Sequence, residues 1–130
     1  MLDTNAYSAF KRGDQNIVEI LRYADNIVIS PIILGELYGG FECGNKVAEN
    51  RTELQQFLSS PRVSVSPVTA DTANIYSKIY SRLREKGKPI PTNDIWISAQ
   101  TLELGCYICT YDKHFQEIDG VIIVSKISDL

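Results

Sequence analysis

Short apolar runs rich in β-branched residues alternate along this chain with longer stretches in which apolar positions recur every three or four residues. Side chains alternate faces along a strand and repeat about every 3.6 residues around a helix, so the runs predict strands and the stretches predict helices. Ile27–Ile29, Val63–Val68, Cys106–Thr110 and Val121–Val124 read as strands, with Pro67 suited to a strand end or an edge. A first strand is barely present, because only Met1 and Leu2 precede Asp3; either it is very short or the true start lies upstream. Helices are expected over about Ala6–Lys11, through Ile17, Ile20 and Leu21, and from Ser30 onward. There Ser30 is a cap and Pro31 fills the first helical position, and the helix weakens at Gly39-Gly40. Another spans about Asn45–Leu58. A further one is capped by Thr69, buries Ile75, Ile79 and Leu83, and ends near Gly87. After a stiff loop with Pro89 and Pro91, Thr92 or Asn93 caps a helix over about Asp94–Leu104, closed by Gly105. This order implies βαβ units, hence an α/β fold with a mostly parallel central sheet and helices on both faces.

At 130 residues the chain makes one domain, residues 1–130, of a size that buries enough surface to need no disulfide staples. Hydrophobic residues at 44% and charged residues at 22% exclude a disordered tail, a collagen-like fibre and a coiled coil. No apolar run approaches the roughly 18–20 residues that span a bilayer, so no membrane association is expected. The N-terminus lacks the basic start and apolar stretch of a signal peptide, and three cysteines fit a disulfide framework poorly. A reducing cytoplasm is the expected compartment. The net charge of −3 argues against indiscriminate nucleic-acid binding through bulk charge. It leaves room for a local basic strip, or for an acidic site neutralised by a metal.

In open parallel sheets the ligand site lies outside the carboxyl ends of the strands. Asp3 ends the first strand, Asp112 lies just past Cys106–Thr110, Asp94 opens the helix feeding that strand, and Glu36 sits two turns into the helix after Ile27–Ile29. Right-handed crossovers put all four on one edge. Two carboxylates about 4 Å apart repel by about 4 kcal/mol at an effective dielectric near 20. Such a cluster persists around a cation, or with some members protonated. Oxygen donors without histidine or cysteine favour Mg²⁺, with Mn²⁺ also suited. An ion held this way activates water for attack on a phosphodiester. Taken singly, each acid is more often a solvated charge or a cap; topology singles out these four. Asp14, Glu19, Asp25, Asp71 and Asp119 fall on helix faces, caps or turns and read as structural or solvated.

Four segments carry a family resemblance: Leu2-Asp3-Thr4-Asn5; Glu36 within Ile33-Leu34-Gly35-Glu36-Leu37; Thr92 to Ala99; and Thr110-Tyr111-Asp112-Lys113-His114-Phe115. In order and spacing the chain resembles PIN-domain proteins, and more narrowly the VapC-type toxins of bacterial toxin–antitoxin pairs. The resemblance implies a PIN-like three-layer sandwich and a magnesium-dependent endoribonuclease. It carries Asp3, Glu36, Asp94 and Asp112 over as the acidic, metal-binding site, with Asn5 and Thr110 orienting the carboxylates. It also implies a cognate antitoxin whose tail occupies a groove and the acidic site, and a homodimer, for which the apolar helix faces around Ile33 to Leu58 are the candidate surface.

Lys78, Arg82, Arg84, Lys86 and Lys88 face one acid, Glu85, in a strip leading to Asp94. The strip suits an RNA backbone as well as it suits a solvated helix face. Tyr38, Phe41 and Trp96 are expected to pack rather than stack bases. Cys106 and Cys109 would point to opposite faces of a strand and share no metal, so both read as core. His114, the only histidine, is expected at the surface or partly packed. A non-catalytic PIN-like module that binds nucleic acid or protein is the alternative, and the four acids weigh against it. An aspartate-nucleophile phosphatase or receiver needs a second acid near Asp3, where position 5 is asparagine.

Overall fold

The β-branched runs form strands in the computed structural model of the chain, which describes residues 1–130. Ile27–Ile29 (β1) pairs in parallel with Val63–Val65 (β2), and Ile108–Cys109 (β3) with Ile123–Val124 (β4). The chain start joins the two ladders. Leu2 bridges in parallel to Cys109, and its amide donates to Val28 O at 2.9 Å. Cys109 N donates to Met1 O at 2.8 Å, and Asp3 N to Cys109 O at 3.1 Å. The spatial order is therefore β2, β1, Met1–Asp3, β3, β4. Neighbours in sequence point to opposite faces of a sheet. Met1, Leu2 and Asp3 are all buried, as are Ile108 and Cys109, so helices cover both faces. This is the three-layer α/β architecture that the alternation implies.

The strands are shorter than the apolar runs. Beyond Val65, Ser66 N still donates to Ile29 O, but Pro67 has no amide to continue the ladder. Cys106 belongs to a helix end instead of β3: Gly105 is left-handed, with φ 63°, and Cys106 N donates back to Thr101 O. The thiol of Cys106 is thus half-buried at the sheet's amino edge and only Cys109 is core, which corrects the expectation for the pair. That edge also holds a cavity of about 700 Å³ among Ile20, Leu21, Ile27, Cys106 and Ile122. None of the four predicted carboxylates lines it.

Six helices follow the predicted order: Thr4–Lys11 (α1), Gln15–Tyr23 (α2), Pro31–Glu42 (α3), Val47–Leu58 (α4), Ala70–Lys86 (α5) and Thr92–Leu104 (α6). Ser30 Oγ accepts from Ile32 N at 3.0 Å, and Thr69 and Thr72 cap α5 reciprocally. Two boundaries differ from expectation. α3 runs unbroken through Gly39-Gly40, because Tyr38 and Phe41 on either side pack against the core and against each other. Tertiary packing there outweighs the roughly 1 kcal/mol that each helical glycine costs. α6 starts at Thr92 and has no side-chain cap, Pro91 standing before its first turn; Asn93 uses its amide elsewhere. Leu2, Ile17, Ile29, Ile33, Leu54, Ile97, Ile108 and Phe115 are the largest apolar side chains sealed in the core.

Candidate active site

Asp3 sits where the chain leaves the sheet and enters α1, and it is only 3% exposed. Buried there, its carboxylate needs donors. Thr110, the residue after β3, donates from Oγ1 to Asp3 Oδ2 at 2.7 Å. Asn5, at the start of α1, donates from Nδ2 to the same oxygen at 3.3 Å. Asn5 is fixed in turn, since its Oδ1 accepts from Tyr111 N at 3.0 Å. Both predicted orienting residues therefore lie against Asp3.

Asp112 follows on the same turn. Its amide donates to Thr110 Oγ1 at 2.9 Å, and its Oδ1 caps a 3-10 helix, Lys113–Glu117, by accepting from His114 N at 2.9 Å. Asp94 enters from the first turn of α6, 7% exposed. Glu36 reaches in from α3. Thr4 Oγ1 donates to its Oε1, and Asn93 Nδ2 donates to its Oε2 at 3.2 Å, so both carboxylate oxygens are held. All four predicted acids lie at the carboxyl edge of the sheet, but only Asp94 and Asp112 stand within ligand distance of each other; Asp3 and Glu36 lie near enough to act on Asp94 through their charge.

Their charges act on one another. Burial pushes the Asp3 carboxyl up to about 6 against the hydrogen bond from Thr110, with Asp94 and Glu36 adding repulsion. Burial likewise raises Asp94, the neighbouring His114 opposes the rise, and Asp112 and Glu36 add to it. For both groups burial is the larger cause and the neighbouring carboxylates the smaller one, and a cation among these acids would offset both.

His114 is the residue that the sequence pattern does not disclose. Its Nδ1 lies 3.0 Å from Asp94 Oδ2 and 3.1 Å from Asp112 Oδ1, and the three groups sit close enough to share one ion. The expectation of a surface or partly packed histidine holds only in part: the ring is half exposed, but it faces the acids. Its place two residues after Asp112 is the one available signal. The roles of Thr4 and Asn93 also emerge only from the structure, although both residues stand within the segments that carry the family resemblance.

The basic strip divides. Arg82 Nε pairs with Asp119 at 3.1 Å, and Lys86 Nζ reaches Asp119 at 3.6 Å and Glu117 O at 2.7 Å. Arg84 lies over the Tyr80 ring and donates to its hydroxyl, with no acidic partner, and Lys88 forms no ion pair. Trp96 stacks on Tyr76, ring centres 4.2 Å apart.

Residues 1–121 match the family model of the PIN domain. A ribonuclease VapC2 from Rickettsia felis is 31% identical over 128 residues, covering 95% of this chain and 94% of that protein. Among solved structures, VapBC2 from Rickettsia felis bound to a promoter DNA fragment superposes with a TM-score of 0.82 at 28% identity, over 95% of each chain. The DNA-bound VapBC of Salmonella typhimurium superposes with a TM-score of 0.84, also at 28% identity, over 95% of this chain and 94% of that one.

Proposed function

The chain belongs to the PIN-domain family and, within it, to the VapC group, and from that membership we propose that it is an endoribonuclease acting as the toxin of a toxin–antitoxin pair. One observation carries the reading. Four carboxylates from four separated segments converge at the edge of a parallel sheet where ligands bind, and burial and mutual repulsion raise two of them.

Asp3, Glu36, Asp94 and Asp112 form the catalytic centre and hold a hard divalent ion, Mg²⁺ or Mn²⁺. The donor set fits, because two buried and two half-buried carboxylates stand close together and a dication offsets both their burial and their mutual repulsion. When bound, the ion supplies positive charge at the scissile phosphate and activates water for in-line attack on the phosphodiester. The chain's own groups prepare that site. Thr110 and Asn5 fix the Asp3 carboxylate, while Thr4 and Asn93 take up both oxygens of Glu36 and set its orientation. Arg84 and Lys88, with Arg82 and Lys86 beside them, draw the RNA backbone toward the acidic edge.

The partner is an antitoxin protein, as the likeness to VapBC complexes supports, and its tail covers the acidic site, as the family resemblance implies. A second copy of the chain docks on α3 and α4. α3 is largely apolar, and beside the buried Ile33 and Leu37 its Ile32, Leu34, Tyr38 and Phe41 are only partly buried against the core. No helix is long and apolar enough to cross a membrane, and the cysteines are free, so we place its action in the cytoplasm.

RNA digestion by the purified chain tests the proposal, run with and without Mg²⁺ or Mn²⁺ and beside Asp94→Asn. Cleavage that needs the ion and falls to background in Asp94→Asn is the expected result. Asp94→Asn is also expected to be at least as stable as the ion-free parent, since burial and repulsion already disfavour the charged form. An inert parent, or an active Asp94→Asn, overturns the proposal.

A further inference from the structure

The geometry points to His114 as a nitrogen ligand of the divalent ion, which makes this carboxylate site selective for Mn²⁺ over Mg²⁺. The inference rests on the metal-site reading and goes beyond it, because the four acids alone describe an all-oxygen centre.

Spacing supports it first. Ligand atoms at right angles around an ion, with bonds of about 2.1 Å, stand about 3.0 Å apart. Nδ1 of His114 lies 3.0 Å from Asp94 Oδ2 and 3.1 Å from Asp112 Oδ1, so the nitrogen stands from each oxygen at the separation of neighbouring ligands, and all three atoms lie within 4.8 Å of one another. The ring is also anchored. It is borne on the first turn of the Lys113–Glu117 helix, between Asp112, which caps that helix, and Phe115, which is fully buried. A side chain fixed on both sides meets an ion with little further ordering. The tautomer is compatible as well. Nε2 has no protein partner, so it is free to carry the ring proton and leave the Nδ1 lone pair for the ion.

Ligand chemistry sets the direction. Mg²⁺ dehydrates reluctantly and takes oxygen donors, whereas imidazole suits transition ions. Mn²⁺ accepts both donor types. A nitrogen ligand therefore adds affinity for Mn²⁺ and little for Mg²⁺.

The test exploits the fact that the chain contains a single histidine. Tag-free protein is loaded with Mn²⁺, and pulsed electron paramagnetic resonance looks for coupling to an imidazole ¹⁴N. Calorimetry measures Mn²⁺ and Mg²⁺ affinity for the parent, His114→Ala, His114→Asn and Asp94→Asn. The expected result is nitrogen coupling in the parent and none in His114→Ala. Mn²⁺ affinity falls about tenfold or more in both His114 variants, as for loss of one ligand, while Mg²⁺ affinity changes less than about threefold. Thermal unfolding of both variants checks that they fold. Mn²⁺ bound to the parent without nitrogen coupling, or equal losses for the two ions, overturns the role of His114 and leaves the carboxylate site standing. Failure of the parent to bind either ion, or unchanged binding by Asp94→Asn, overturns the metal site itself and the role of His114 with it.

Discussion

Thr110 Oγ1 donates a 2.7 Å hydrogen bond to Asp3 Oδ2, joining the residue after β3 to the one that precedes α1 across 107 positions of sequence. The hydroxyl has one proton and two lone pairs. The proton goes to Asp3, and the lone pairs face Asp112 N at 2.9 Å and Asn5 Nδ2 at 3.2 Å. One buried oxygen thus coordinates three parts of the site.

Thr110→Val keeps the shape and removes that oxygen. It leaves a buried carboxylate short of a donor and the Asp112 amide without its partner. A loss of about 1–3 kcal/mol at pH 7 is expected, read by urea denaturation of the ion-free protein. Weaker divalent-ion binding, read by calorimetry, should accompany it. Unchanged stability and unchanged ion affinity would mean that the hydroxyl does not organise Asp3.

The raised carboxyl of Asp3 gives stability a specific pH dependence. Folded, it titrates at about 6, and unfolded near 3.8, so the folded state binds more protons between those values. Ion-free stability contributed at Asp3 is then present in acid and lost as pH rises from about 4 to about 6 and beyond. The full difference is about 3 kcal/mol. Asp3→Asn removes this titration. Denaturation of parent and variant at pH 4.5 and pH 7 should show the variant gaining relative stability at the higher pH. A constant difference between the two would place Asp3 in a solvated setting.

The division of the basic strip makes its members unequal. Reversal of Arg84 or Lys88 to Glu should weaken RNA cleavage most at low salt. It should also reduce the slope against log salt by about 1 for each phosphate that is no longer neutralised. Arg82→Glu should weaken cleavage less than either, because Asp119 already offsets the Arg82 charge, and loss of that exposed pair should cost at most about 1 kcal/mol by thermal unfolding. Cleavage and salt dependence that ignore both Arg84→Glu and Lys88→Glu would remove the strip from substrate binding.

Much of the architecture was legible because strand and helix periods differ and caps are chemical. Ile27–Ile29 and the caps Ser30 and Thr69 lie where the pattern puts them. The four acids were legible because parallel topology fixes which strand ends share an edge. Other features depend on tertiary packing, which periodicity does not encode. α3 passes through Gly39-Gly40 because Tyr38 and Phe41 are packed, and Cys106 leaves β3 because it completes the end of α6. His114 was hidden for a similar reason. Its partner Asp94 is 20 residues away, and nothing local announces that α6 presents a carboxylate to it. Arg82 and Lys86 looked free in sequence only because Asp119, which binds both, lies on a turn more than 30 residues away.

The most direct measurement is calorimetric titration of Mn²⁺ into the parent and into Asp3→Asn, Asp94→Asn and Asp112→Asn at pH 7. A shared carboxylate centre predicts saturable binding in the parent and a loss of about tenfold or more, at least 1.4 kcal/mol, in every variant. Full affinity in all three variants, or no saturable binding in the parent, would contradict it.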